Sequence, residues 1–183
     1  PAEPAQALSC AGPFARESTH ADLVAAFGAE NVVFTQVDGP EGSKLDASVV
    51  YPADPQRRLE VLWHDEQARA RPAAIVITGG SRWVAPGGLR LGMALGDVEK
   101  RNGKPFHLSG FGWDYGGSVV DWDNGKLDQL DGGCRMNLRF VQDGKTPQAA
   151  LGKVTGEKTF ASNSAEIRAV KPKVAEIIVG YGQ

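Results

Sequence analysis

The chain has 183 residues, 42% of them hydrophobic and 23% charged, with a formal net charge of -2; this is apolar enough for a folded unit and too balanced in charge for a disordered one. Lys and Arg are dispersed along the sequence, so no basic stripe neutralises a phosphate backbone and nucleic acid is not an expected partner. No stretch reaches the roughly 18 consecutive apolar residues of a transmembrane helix.

The sequence starts PAEPAQALSCAGPF, rich in Ala and Pro with little periodicity, a composition that often follows a removed signal peptide. Residues 1–9 are expected to be a flexible leader and residues 10–183 a single globular domain. The run ALSC also admits a lipid-anchored, acylated Cys10, although a lipobox places Leu three positions before the Cys and Leu8 is two before it. The other cysteine is Cys134, in GGCRMNLRF. One thiol near each end of the folded region points to a structural disulfide between Cys10 and Cys134; the alternative is two unrelated buried thiols in a reducing compartment. With the leader, the disulfide reading places the chain in the periplasm or outside the cell.

STHADLVAAFGAEN predicts a first short helix, with Ser18 or Thr19 as N-cap, Asp22 in the first turn, Leu23 and Phe27 on one face and Gly28 as the stop. SVVYPADPQRRLEVLWHDE predicts a hairpin, and AAIVIT at residues 73–78 a buried strand bounded by glycines. In GLRLGMALGDVEKRNGKPF, Leu91, Leu95 and Val98 fall at helical spacing, and Gly103 and Pro105 end a second helix. SVVDWDNGKLDQL predicts a second hairpin folded at Asn124-Gly125, both of which tolerate positive φ. Cys134, Met136, Leu138 and Phe140 alternate with polar residues as in a half-buried antiparallel strand, and VAEIIVGY at residues 174–181 predicts a last strand. The polar and basic run KTFASNSAEIRAVKPKV, with Lys171 and Lys173 flanking Pro172, reads as cover for a sheet edge or as a long loop.

The segments DLVAAFG and DVEKRNG share Asp followed six places on by Gly, and both hairpin segments open with Ser-Val-Val. The expectation is an α+β fold of tandem helix-plus-antiparallel-sheet units, at about residues 16–80 and 88–142, followed by a C-terminal strand. Within the second unit, GMALGDVEKRNGKP at residues 92–105 resembles the Gly-Met, helix, Gly-x-Pro signature of outer-membrane lipoproteins of the SmpA/OmlA type. Their fold is shared by the β-lactamase inhibitor protein, whose tandem helix-plus-sheet units form one concave surface. The match covers one half only: the first half lacks Gly-Met, and Gly28 is followed by Ala-Glu. The resemblance implies a fold rather than an activity.

GFGWDYGG, residues 110–117, is the most distinctive word in the chain. Read as a strand, it stacks Phe111, Trp113 and Tyr115 on one face and leaves Gly112, Asp114 and Gly116 on the other. Such a strip, joined by Trp122, is a platform for a protein or envelope ligand, with Asp114 supplying polar orientation; the competing reading is that the rings fill the core and the glycines permit a bend. A rival reading is a hydrolase or carbohydrate-active enzyme that uses Asp114 with Asp121 or Asp123 as paired carboxylates, and a structural envelope component is a third class. DWDNGKLD has acids at alternate positions but lacks the third oxygen ligand, Gly and Glu of a calcium loop. His20, His64 and His107 lack metal-ligand spacing, and His64-Asp65-Glu66 is the best local acid/base group. No GxSxG elbow, dinucleotide fingerprint or P-loop occurs, so neither a cofactor nor a metal is expected.

Overall fold

A computed structural model of the chain describes residues 6–182. Helix α1 (His20–Phe27) begins where Thr19 and Asp22 form a reciprocal capping box and ends at Gly28, whose φ of 95° a side chain would resist. Four strands follow as a meander: β1 (Val32–Asp38), β2 (Lys44–Val50), β3 (Leu59–Asp65) and β4 (Ala70–Thr78). The first predicted hairpin is β2 with β3, and residues 73–78 lie in β4. Strand β1 has no counterpart in the sequence reading, because Val32, Val33 and Phe34 are consecutive and break the alternation that marks a half-buried strand.

Helix α2 (Leu95–Asn102) buries Leu95 and Val98, carries Lys100 and Arg101 in its last turn and stops at left-handed Gly103. Leu91 lies before the helix, so the apolar spacing that started there overstated its length by one turn. The rest of the chain gives β5 (His107–Ser109), β6 (Val119–Asp121), β7 (Arg135–Val141), α3 (Gln148–Gly152), β8 (Thr159–Ala161), α4 (Ala165–Ala169) and β9 (Lys173–Gly180). Two antiparallel sheets result: a six-stranded one ordered β1-β2-β3-β4-β9-β7 and a three-stranded one ordered β6-β5-β8. The fold is α+β, with short helices on antiparallel sheet. Strand pairing differs between the halves: the first contributes four neighbouring strands, whereas the second contributes two to the same sheet and builds the small one.

Several expectations need correction. No hairpin folds at Asn124-Gly125. Asp123 and Asn124 do take positive φ, but the groups that would pair with a returning strand are bound to buried Asn102. Its side-chain amide donates to the Trp122 carbonyl (3.0 Å) and accepts from Leu127 N-H (3.1 Å), while its backbone carbonyl accepts from Lys126 N-H (2.8 Å). The terminal strand β9 sits between β4 and β7 in the large sheet, so Lys173 opens an interior strand and guards no edge. KTFASNSAEIRAVKPKV contains β8 and α4 rather than a long loop, with Ile167 and Val170 in the core.

Cys10 and Cys134 form a disulfide, which removes the acylated-Cys10 reading because that sulfur is already bonded. The approach is so close that a side chain at Gly132, where φ is +91°, would overlap the backbone and Cβ of Cys10. Of the expected leader, residues 1–5 lie outside the described residues. Residues 6–9 are not loose: Leu8 is buried and its N-H donates to the Val84 carbonyl (2.7 Å), and Val84 N-H donates to the Gln6 carbonyl (2.8 Å). No helix among the described residues is long and apolar enough to cross a membrane.

The sheet register separates two faces. Inward, the row Phe34, Ser48, Val61, Ile75, Val179 and Met136 is packed beneath the helices and the small sheet, with Phe14, Phe27 and Trp83 at one end and Phe106, Trp122 and Phe140 at the other. Outward, the matching row reads Val33, Val49, Glu60, Val76, Ile178 and Asn137. Val37, Ala47 and Val49 form a second apolar cluster there with Leu45 and Leu62, made of β1, β2 and β3 alone.

Candidate functional site

GFGWDYGG is a folded-back loop rather than a strand. Phe111 bridges to Thr155 and is 2% exposed, so its ring belongs to the core. Gly117 has φ +79°, donates to the Ser109 carbonyl and accepts from Phe140 N-H at 2.8 Å; a Cβ there would overlap the Phe140 carbonyl. The glycines therefore serve backbone packing against β7. Trp113 donates its indole N-H to the Gly110 carbonyl (2.9 Å) and lies edge-on to Tyr115, with ring centroids 5.7 Å apart. Tyr115 is 49% exposed and Asp114 is exposed beside it. Trp122 is 6% exposed, tilted on Phe106 at 5.0 Å, and donates to the Met136 carbonyl (2.9 Å). Of the five expected ligand contacts, Trp113, Asp114 and Tyr115 reach the surface together. Phe111 does not, because the loop fold turns its ring into the core, and Trp122, which follows β6 outside this loop, is almost wholly buried and meets open space only where it lines the concavity below.

A different surface is more extensive. Along the outer edge of β7, the β6 strand and the turn after it line, together with the neighbouring part of the large sheet, a concavity of about 480 Å³. Its floor includes Ile178 and Asn137 from the outward row; Val120, Asp121, Asp128 and Arg135 stand around it. Val120, in the middle of the short edge strand β6, is 58% exposed and offers an apolar contact at the rim. Among the described residues Asp128 and Arg135 make no ion pair, so both charges face solvent in the concavity. Of the site residues singled out in the sequence only Asp121 and Trp122 line it, because most of the remaining lining comes from β4, β7 and β9, which become neighbours only through the placing of β9.

The acids expected to work as a pair are not gathered in it. Asp121 lines the concavity and its carboxylate accepts from Asp123 N-H (2.7 Å), whereas Asp114 belongs to the aromatic loop and is not among the lining residues. Among the described residues no three His, Cys, Asp or Glu side chains are grouped as metal ligands. His64, the expected acid/base residue, is tied through Nε2-H to the Tyr181 carbonyl (2.7 Å), and Asp65 accepts from Ala68 N-H to close a turn.

His20 opens α1, and its Nδ1 lies 2.7 Å from the hydroxyl of fully buried Ser48, which also accepts from the indole N-H of Trp63 (2.8 Å). The Ser48 hydroxyl thus ties the first residue of α1 to the Trp63 indole inside the protein. Burial, and then the neighbouring Arg69 guanidinium, hold the His20 pKa below its ordinary 6.5. The unfolded chain thus takes up the proton first as pH falls, so stability is fully present above about pH 6.5 and declines below it until the folded histidine also titrates. Urea midpoints of wild type should fall between pH 7 and 5 relative to those of His20→Asn; parallel curves would contradict this assignment.

Compared with protein-family models, curated proteins and solved structures, the chain matches none.

Proposed function

We propose that the chain is a binding module of an oxidising compartment, periplasmic or secreted, that takes a protein or envelope ligand on the outward face of its large sheet. The observation that carries this reading is the outward row itself. An antiparallel sheet that faces water on one side ordinarily shows polar residues there, yet here exposed Val33 and part-buried Val76 and Ile178 share the face with Glu60, around the buried Val37–Ala47–Val49 cluster. Accessible apolar positions on a sheet face, Val33 among them, are candidate contact points. The concavity at the β7 end adds separated positive and negative side chains that orient a ligand, and the Trp113–Tyr115 pair offers a second, smaller contact of the type favoured in recognition. The disulfide supports the compartment, since such bonds persist where thiols are not kept reduced.

Site-specific photo-cross-linking in the native envelope tests the reading. A photoreactive residue at Val120 or Asn137 should capture a discrete partner that one at Glu157, exposed in the loop before β8, does not. Val120→Lys, which places a charge in the concavity without touching the core, should weaken that partner's binding at least about tenfold, the loss of roughly 1.4 kcal/mol. Equal cross-linking at the three positions, or unchanged affinity in Val120→Lys, would remove the sheet face from consideration.

A further inference from the structure

Strand β1 ends the large sheet, and its outer edge differs from every other edge in the chain. The far side of β7 is occupied: Phe140 N-H donates to Gly117, Ser118 bridges Arg139, and the Trp122 indole covers the Met136 carbonyl. Strands β6 and β8, the edges of the small sheet, have three residues each. By contrast β1 runs for seven residues in unbroken register with β2, and has no Pro, Lys or bulge, the devices that ordinarily protect an edge from further pairing.

The direction of its backbone groups follows from two flanking bonds. Tyr51 N-H donates to the Asn31 carbonyl (2.7 Å) and Gly39 N-H to the Ser43 carbonyl (2.8 Å), so the odd-numbered residues turn their polar groups toward β2. Because these groups alternate along a strand, Val32, Phe34, Gln36 and Asp38 direct their N-H and C=O groups to the open side. Among the described residues no hydrogen bond reaches them there. Thr35 and Gln36, at the middle of the strand, are exposed.

We infer that β1 pairs antiparallel with β1 of a second copy of this chain about a two-fold axis at Thr35, joining two large sheets into one. That axis lies at the midpoint of the strand and so uses all of it. It sets Phe34 against Gln36 and Val32 against Asp38 of the other copy, the pairs that exchange two hydrogen bonds each, while Thr35 meets Thr35 in a non-hydrogen-bonded position. The charges permit it: Asp38 is the single charged residue in the strand, is ion-paired with Lys44 of its own chain, and falls opposite Val32 rather than another acid. On the outward face Val33, 43% exposed, gains Val37 of the second copy, so the apolar row continues across the junction. An isologous contact of this kind closes on itself and consumes the edge.

Sedimentation and disulfide trapping test the pairing independently of ligand binding. Wild type should sediment as a dimer that dissociates on dilution, and Gln36→Pro as a monomer with an unchanged far-ultraviolet spectrum, because the amide it removes faces away from β2. Residues facing each other across a non-hydrogen-bonded pair stand about 4.5 Å apart between Cα atoms, within disulfide range. Thr35→Cys should therefore form a covalent dimer under mild oxidation, whereas Gln36→Cys should not; wild type, whose two cysteines are already bonded to each other, provides the blank. A wild type that stays monomeric at all concentrations overturns the inference, as would happen if the edge instead receives an extended segment of another protein. So does a dimer that survives Gln36→Pro, or equal trapping at positions 35 and 36. Should Gln36→Pro fail to fold, the trapping comparison decides alone.

Discussion

Reducing the Cys10–Cys134 bond should lower the stability of the chain by about 5 kcal/mol. The cysteines are 124 residues apart, and closing a loop of that length removes from the unfolded ensemble an entropy equivalent to about 5 kcal/mol at room temperature. A domain of ordinary stability has roughly 5 to 15 kcal/mol in all, so the reduced chain should be close to its limit. The folded state keeps other ties in the same region: Leu8 remains bonded to Val84, and the Tyr181 hydroxyl donates to the Phe14 carbonyl (2.7 Å). Loss of the bond is therefore expected to act on the unfolded chain more than on native contacts. Urea titrations with and without reductant measure it. With a slope near 2 kcal/mol/M the midpoint should fall by about 2.5 M, and the slope itself should rise as the unfolded chain expands. A loss under about 1 kcal/mol would mean that the unfolded chain is held compact by something else. The Cys10→Ser/Cys134→Ser double variant separates this effect from any other action of the reductant.

The parts of the fold that could be read in the sequence are those whose signals are local. Thr19, Asp22 and Gly28 bound α1 by themselves, and the alternation through Met136, Leu138 and Phe140 announces β7 whatever its neighbours. Where a long-range partner decides, the reading failed. Asp123 and Asn124 take the positive φ of a tight turn, yet Asn102, 22 residues before Asn124, takes the hydrogen bonds that a returning strand needs. The placing of β9 between β4 and β7 depends on pairing with two distant strands, which no short window contains. The site suffered most. An alternating aromatic-glycine word predicts one aromatic face only if it is a strand, and its glycines instead allow Gly117 to approach the Phe140 carbonyl and fold the loop over. The outward apolar row was hidden for a related reason: Val33, Val49, Val76 and Ile178 are unremarkable until the register aligns them.

Trp122→Ala and Trp113→Ala, two substitutions of the same chemistry that the sequence alone treats as equivalents, should differ by several kcal/mol. Trp122 is enclosed, with its ring against Phe106, which in turn stacks on Phe140 at 5.9 Å, and with its indole N-H on the Met136 carbonyl at the foot of β7. Truncating a buried aromatic ring costs about 3 to 5 kcal/mol through lost transfer energy and the cavity left behind, and the Met136 carbonyl loses its partner as well. Trp113 is half-buried, packs edge-on to exposed Tyr115 and makes its one side-chain hydrogen bond within its own loop. Its removal should cost about 1 kcal/mol, the ordinary range for a surface-loop truncation. Urea unfolding followed by far-ultraviolet circular dichroism, which does not depend on the deleted chromophore, gives both values. Equal losses would make the Trp113–Tyr115 pair a structural prop of the loop and withdraw it as a contact. If Trp113→Ala folds almost as stably as wild type, a loss of partner cross-linking in that variant reports recognition rather than unfolding. The concavity around Val120 can then be compared with the ring pair residue by residue.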